Sequence, residues 1–363
     1  MRRLIVVGPI PPPYHGVAVS TSLILENERL GDRFEVEHLD TTDGRSLRNI
    51  GKWDAANIAL GLRQAVALTA RLRGERGLIY LPLSQGAGGF LRDSLFIHLA
   101  HLAGWRVAVH LRGSEFPTFY DGSNALLRGW IRLTMKQIDA AAVMGTSLRT
   151  VFAGLVADDK ITVVPNGTPD LAGNGEVKDP EAVIFLSNLR RRKGIVESVE
   201  AALHVLRQRP SARFLFVGAW ESAELEHAVR ERASSAGTAI RFIPATSGQE
   251  KHALLLSSSI LLFPPVEPEG HPRVVLEGLA AGLPIVTTDR GAIAETVVDG
   301  QSGFVLDDAS PARLAERLLL LLHDNSLRAR MSEAARARYL ESFTQEAADR
   351  RLADWLKEVA EAS

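Results

Sequence analysis

The chain has no cysteine among its 363 residues. Disulfides, thiolate zinc sites, iron–sulfur clusters and cysteine nucleophiles are therefore excluded, and the absence fits a reducing cytoplasm. An excess of one charge is also missing. Lys and Arg number 42 against 43 Asp and Glu, a net charge of −1, so no global field favours nucleic acid or an acidic partner. No stretch reaches the roughly 18 apolar residues of a membrane-spanning helix; even Leu254–Val266 is broken by three serines and two prolines. Arg2 and Arg3 precede Leu4-Ile5-Val6-Val7, but that run stops at Gly8-Pro9. A secretory core needs about 7–15 apolar residues, so the segment reads as a short buried strand. Asp-x-Asp is absent, and no His, Asp and Glu group has metal-ligand spacing.

What is present is ordinary globular material, 46% apolar and 23% charged, long enough for about two or three domains. Short aliphatic runs alternate with longer helical stretches, the pattern of parallel sheets built from βαβ units. The first half predicts strands at Arg3–Gly8, Phe34–Leu39, Leu78–Pro82, Arg106–Leu111, Ala141–Met144 and Ile161–Val164. Helices are expected between them, at Val17–Leu30, Trp53–Arg73, Gly89–Ala103, Asn124–Lys136 and Ser147–Leu155. The second half repeats the design, with strands at Val183–Ser187, Arg213–Gly218, Ile240–Ile243, Ile260–Pro264, Pro284–Thr287 and Gly303–Leu306. Five of the eleven residues 165–175 are Gly or Pro, which breaks regular structure and reads as a linker. The expected fold class is therefore α/β, with two Rossmann-like, doubly wound parallel-sheet domains facing a cleft. Residues 1–165 form the first domain, 166–180 the linker and 181–338 the second domain. Residues 339–363 form a C-terminal helix able to pack on either domain. Ligands of such sheets bind beyond the carboxyl ends of the strands.

The segment from Pro264 to Gly278 concentrates the chemistry: a strand end, a tight loop, and a helix opening near Pro272, where proline suits the first turn. Free N–H groups and the positive dipole end there suit a phosphate. Glu277 lies about 7.5 Å along that helix at 1.5 Å per residue, in reach of a ribose. Glu269 in the loop would reach the opposite side of a diphosphate, toward a sugar. The alternative from spacing alone is that Glu277 pairs with Arg273 at i,i+4.

Glu269 and Glu277 stand in an E-x7-E arrangement, within E-G-H-P-R-V-V-L-E-G. Five more motifs occur in order: P-P-Y-H-G at 12–16, V-H-L-R-G-S-E-F at 109–116, V-P-N-G at 164–167, R-K-G at 192–194 and G-A-I-A-E at 291–295. Together they resemble the retaining glycosyltransferases of the GT-B fold, family 4 (glycosyl transferases group 1), over nearly the whole chain. The resemblance implies that Glu269 holds hydroxyls of a donor sugar and Glu277 the ribose hydroxyls of its nucleotide. Lys193 matches the lysine that neutralises the donor diphosphate. The partner arginine of the family pattern is replaced here by Asn188, leaving Arg190, Arg191 or Arg192 to substitute, with Arg192 the preferred candidate. Such cations are needed because a departing nucleoside diphosphate carries charge that fixed groups must stabilise.

Gly16 matches the second glycine of the family's N-terminal loop, and His15 replaces the first. His110, at a strand end, matches a histidine that lies against the donor sugar. His271 stands where the family has an aromatic residue. The remaining donor contacts are expected from Gly270, Pro272 and Arg273, and base recognition by main chain around Ile243 to Thr246. No metal is expected; side chains and a helix end would neutralise the diphosphate. Gly86-Ala87-Gly88-Gly89 lacks the third glycine of a dinucleotide fingerprint, where Leu91 stands, and is expected to be an acceptor-side loop.

Residues 45–76 are locally basic, with Arg45, Arg48, Lys52, Arg63, Arg71, Arg73 and Arg76 against Asp54 and Glu75. The simpler reading is an amphipathic helix packed on its own sheet; the other is peripheral contact with a membrane surface. The resemblance implies a metal-independent retaining hexosyltransferase using a nucleotide diphosphate sugar and a glycan or glycolipid hydroxyl. It would be cytoplasmic or held at the inner face of the membrane, in bacterial cell-surface polysaccharide or lipopolysaccharide assembly. The alternatives are a nucleotide-sugar epimerase and a catalytically silent nucleotide-sugar-binding subunit.

Overall fold

The structure, a computed structural model, describes residues 2–13, 16–43, 55–171 and 178–362. Tyr14 and His15 of the glycine-containing loop lie outside the described residues, as do Arg45, Arg48, Lys52, Trp53 and Asp54 of the basic stretch. The chain divides into two units. Unit 1 comprises Met1–Pro165 and Glu346–Ser363, and unit 2 comprises Asn166–Gln345.

Unit 1 is built on β1 (Arg2–Gly8), β2 (Phe34–Asp40), β3 (Leu78–Pro82), β4 (Arg106–His110), β5 (Ala140–Val143) and β6 (Ile161–Val163). They form one parallel sheet in the order β2-β1-β3-β4-β5-β6. The chain steps from β1 to β2 on one side and returns to place β3 on the other, so the winding reverses between β1 and β3. Leu4, Ile5 and Val6 are fully buried, as a strand covered on both faces requires. The helix Gln345–Glu361 returns to this unit and packs Leu352, Trp355 and Leu356 with Leu4, Val6 and Tyr80.

Unit 2 is built on β7 (Ala182–Leu186), β8 (Arg213–Val217), β9 (Ile240–Ile243), β10 (Ile260–Phe263), β11 (Ile285–Thr288) and β12 (Gly303–Leu306). This sheet is also parallel, in the order β12-β11-β10-β7-β8-β9. Its winding reverses between β7 and β10. Alternate residues of β7 enter different cores: Val183 and Phe185 join one cluster, Ile184 and Leu186 the other. This is the two-residue period of a strand covered on both sides.

Several expected helices differ in detail. Val17–Leu30 is two helices, Gly16–Leu25 and Glu28–Gly31, because the Asn27 side chain accepts the Arg29 N–H and caps the second. Ser147–Leu155 is instead a 3-10 helix at Thr146–Phe152. The helix expected from Tyr339 onward is interrupted. One helix ends at Ser342 and the next begins at Gln345, because Thr168 pairs with the chain there. Its N–H donates to the Phe343 carbonyl and its carbonyl accepts from Gln345 N–H. Residues 166–171, read from sequence as the start of a linker, are packed into unit 2, with Thr168 and Leu171 at 2% and 5% exposure.

Candidate functional site

The turn after β7 carries the cations. Arg191–Lys193 form one 3-10 turn that ends at Gly194, whose φ of +79° only glycine adopts readily. A Cβ on Gly194 would also lie 2.0 Å from the Pro264 carbonyl, so the turn is pressed against the end of β10. The Arg192 carbonyl accepts from Val266 N–H at 3.0 Å and Glu267 N–H at 3.3 Å, and Arg192 Nη2 donates to Pro268 O at 3.3 Å. The loops leaving β7 and β10 are thus stitched together at the switch point of the sheet, where open parallel sheets bind ligands.

Within that junction Lys193 Nζ donates to Glu269 Oε1. Glu269 is 8% exposed, a depth at which a carboxylate requires a partner. A third segment holds its main chain. Gly291, at φ +61°, has no room for a Cβ, which would lie 1.9 Å from the Glu269 carbonyl. Ala292 N–H donates to Gly270 O at 2.9 Å. The G-A-I-A-E motif therefore supports the glutamate loop from β11.

The helix Arg273–Ala280 follows, with Pro272 at its N-cap and no side chain capping its first turn, which leaves main-chain donors open. Glu277 projects from this helix to Lys251, whose Nζ donates to Glu277 Oε1 at 2.8 Å. Lys251 lies on the helix Gly248–Ser257, between β9 and β10. Sequence reasoning missed it, because 26 residues separate it from Glu277 and no motif marks it. Arg273 Nη1 instead reaches Gly167 O at 2.8 Å.

His271 is buried and anchors the start of unit 2. Its Nδ1 accepts from Asn166 N–H at 3.1 Å, and Asn166 Nδ2 donates to the His271 carbonyl at 2.9 Å. The Thr296 hydroxyl donates to Ala292 O at 2.7 Å. The 2.9 Å contact between Thr296 Oγ1 and His271 Nε2 is therefore donated by the ring, which assigns the neutral Nε2–H tautomer. The imidazole thus joins the V-P-N-G segment to Thr296, the residue that follows G-A-I-A-E, a role that its place in the glutamate motif does not suggest.

The other expected donor residues lie around this junction or at the strand ends. Asn188 and Arg190 are exposed in the turn after β7, and Arg190 N–H donates to Asn188 O at 2.9 Å. Ile243 ends β9, its carbonyl accepting Gly218 N–H at 3.0 Å. Gly270 and Pro272 flank His271 in the loop after β10.

Gly16 and His110 belong to unit 1. Gly16 opens its helix, exposed, and a Cβ there meets nothing within 4 Å. His110 is 1% exposed, lying edge-on to Tyr80 and Trp355. Arg112 Nη2 donates to the Tyr80 hydroxyl at 3.0 Å, and that hydroxyl meets His110 Nδ1 at 3.0 Å. Burial holds the ring well below the ordinary imidazole range. The Arg112 charge adds to this, and a hydrogen bond to the Val164 main chain opposes it.

Among the described residues no group of three His, Asp or Glu is gathered to hold a metal ion, and no helix is long and apolar enough to cross a membrane.

Residues 169–338 match the family described as Glycosyl transferases group 1. Glycogen synthase of Mycobacterium tuberculosis is 27% identical over 220 residues, which cover 59% of this chain and 51% of that one. Phosphatidyl-myo-inositol mannosyltransferase of Mycobacterium leprae is 28% identical over 214 residues, 56% of this chain and 54% of that one. The chain thus matches about half the length of these relatives. Among solved structures, Anabaena HepE in complex with UDP and glucose superposes with a TM-score of 0.74 at 16% identity, covering 98% of this chain and 100% of that one. The two parallel six-stranded sheets are those of the GT-B glycosyltransferase fold.

Proposed function

We propose that this chain, whose residues 169–338 match the family described as Glycosyl transferases group 1, transfers a hexose from a nucleotide diphosphate sugar to an acceptor hydroxyl. The observation that carries this reading is the meeting of Lys193 and Glu269 at the switch point of the unit 2 sheet. A nucleoside diphosphate bound there would take Lys193 as its counter-charge and free the Glu269 carboxylate for sugar hydroxyls. Glu277 would exchange Lys251 for, or share it with, the ribose. The solved relative with UDP and glucose is consistent with such a donor.

In the proposed step the acceptor O–H bond breaks as its oxygen bonds to the anomeric carbon. The bond from that carbon to the leaving phosphate oxygen breaks, and the electron pair leaves with the nucleoside diphosphate. The proton passes to that departing oxygen on the same face of the sugar, giving retention of configuration. Lys193 and Arg192 stabilise the leaving charge, a large term where fixed donors face developing charge in a site shielded from water. Glu269 orients the sugar. No metal ion takes part in this proposal.

A bacterial cell-surface glycan or glycolipid as acceptor, and contact with the inner face of the membrane, extend the same reading. Support for membrane contact comes from the helix Ala55–Arg71, where exposed Ile58, Leu62 and Val66 recur every fourth residue on one face of a helix whose sequence also carries Arg63 and Arg71. Apolar residues beside cations suit an anionic lipid surface.

The test is product analysis. The purified protein is incubated with UDP-, GDP-, ADP- and dTDP-hexoses and an alkyl glycoside acceptor, and the products are examined by NMR. Release of a nucleoside diphosphate together with an α-linked product from an α-configured donor supports the proposal. An isomerised sugar without acceptor supports an epimerase instead.

A further inference from the structure

The crossovers from β2 to β3, β3 to β4 and β4 to β5 all advance in one direction along the unit 1 sheet. Right-handed connections therefore place their helices, Ala55–Arg71, Ala87–Leu102 and Ala125–Met135, on the same face. The middle helix packs against both of the others. The helix of the reverse crossover, Gly16–Leu25, shares a core with Gln345–Glu361 through Ile24 on the other face. Nine large apolar residues are exposed among the described residues, and seven of them lie in the one three-helix layer. Ile58, Leu62 and Val66 belong to its first helix. Leu102, Leu126, Trp130 and Leu133 belong to the other two.

Leu126, Trp130 and Leu133 recur at i, i+4 and i+7, the spacing of one helical face, and are 87%, 38% and 46% exposed. The buried side of the same helix is Ile131, Thr134 and Met135. Trp130 is fixed in place: its Nε1–H donates to Ser94 Oγ at 2.9 Å, and its ring centre lies 4.8 Å from that of His98. Leu102, 82% exposed, follows His98 by four residues, on the same stripe of its helix. An indole whose N–H already has a protein partner enters an apolar phase without leaving a donor unpaired.

Charge identifies the partner. Arg128, Arg132 and Lys136 are exposed on the 125–135 helix or at its C-cap, and the helix contains no acid. Across the three helices the one carboxylate is Asp93, 1% exposed and paired with Arg92. The nearest exposed acid in the sequence is Asp121, at the end of the short helix before. The whole chain balances at −1, so the excess of cations is local to this layer. The cores of protein interfaces are depleted in charge. Leucine and tryptophan flanked by Arg and Lys compose instead a helix that lies in an anionic lipid interface.

We infer that the 87–102 and 125–135 helices form a docking surface for an anionic lipid bilayer, with Leu126, Trp130 and Leu133 as the inserting stripe, joined to the 55–71 helix in one layer. The inference rests on the membrane contact proposed above for its partner, while the exposed stripe and the excess of cations stand independently of the transfer step.

The test sediments the full chain with vesicles of phosphatidylcholine alone and of phosphatidylcholine mixed with phosphatidylglycerol, at low and at high salt. Binding should require phosphatidylglycerol and fade at high salt, where exposed charges are screened. Leu126→Gln combined with Leu133→Gln should weaken it by about tenfold or more, the factor that burial of an apolar side chain contributes, with little change in melting temperature. Arg128→Gln and Lys136→Gln should each weaken it about fivefold at low salt. Brominated lipid should quench the tryptophan fluorescence of the chain, and quench it less in Trp130→Phe. Binding that survives these variants but is lost in Leu62→Gln combined with Val66→Gln overturns this inference and keeps membrane contact through the 55–71 helix alone. Equal binding to both kinds of vesicle overturns the anionic partner. No binding to either overturns both membrane statements and leaves the transferase reading to the product assay. A chain that self-associates in solution and dissociates in Leu126→Gln overturns the inference in favour of a second copy.

Discussion

Lys193, from the turn after β7, closes an ion pair with Glu269, from the loop after β10, across the point where the unit 2 sheet reverses its winding. The pair joins a cation suited to a diphosphate and a carboxylate suited to sugar hydroxyls. Each holds the other in place while no ligand separates them. Removing one partner leaves the other partly buried and unpaired, which is more disruptive than the net strength of the pair suggests.

Lys193→Ala should therefore lower turnover about 10²- to 10³-fold, the usual cost of losing one fixed group facing transition-state charge. Its effect on the Michaelis constant for the donor should be smaller. Steady-state kinetics separate the two. A variant that raises only the Michaelis constant contradicts the leaving-group role.

Glu277→Ala should act on binding. Hydrogen bonds to a charged group contribute about 1.5–3 kcal/mol, so nucleoside diphosphate affinity should fall about ten- to a hundredfold, read by calorimetric titration. Lys251→Met should weaken the same affinity by a smaller factor, because it removes the 2.8 Å contact that orients Glu277. Equal affinities for wild type and both variants contradict the assignment.

Gly291→Ala tests the support of the glutamate loop. An alanine would be forced to φ +61° with its methyl 1.9 Å from Glu269 O. Strain of this kind costs about 1–3 kcal/mol, and relief requires the loop to move. The expected result is a lower melting temperature together with reduced activity toward the donor. An unperturbed variant would show that the 291 turn does not hold Glu269.

His110 predicts a pH dependence of stability. Its native pKa is well below that of the unfolded imidazole, which is near 6.5. The unfolded chain therefore binds more protons between those two values. Stability falls as pH drops through that window, by at most about 1.4 kcal/mol per unit, and is unaffected above it. Melting curves should show a steeper acid loss for wild type than for His110→Gln below pH ~6.5. Parallel curves contradict the burial argument.

The sheets were legible in the sequence because both faces of each are covered, so that runs such as Leu4–Val7 and Ile260–Phe263 are continuously apolar. The motif residues after β7 and β10 were legible because glycine and proline mark tight turns between such runs. What escaped depends on distant partners. Nothing local in Tyr339-Leu340-Glu341-Ser342-Phe343-Thr344 ends a helix, since no glycine or proline is present; the break follows from pairing with Thr168. Lys251 is one cation among many until folding brings it to Glu277. His271 reads as a replaced aromatic beside a donor, whereas the folded chain uses its ring to anchor Asn166.

The most direct test of the central claim is a thermal-shift panel of UDP, GDP, ADP and dTDP with the metal ions chelated, on wild type and on Glu277→Ala. A ligand at a hundred times its dissociation constant stabilises the native state by about 2.7 kcal/mol. The account predicts that one nucleoside diphosphate raises the wild-type melting temperature well above the others, and that this shift shrinks or disappears in Glu277→Ala. A flat panel that stays flat when magnesium is restored, or a shift of equal size in Glu277→Ala, contradicts a nucleotide-sugar site built on Lys193, Glu269 and Glu277.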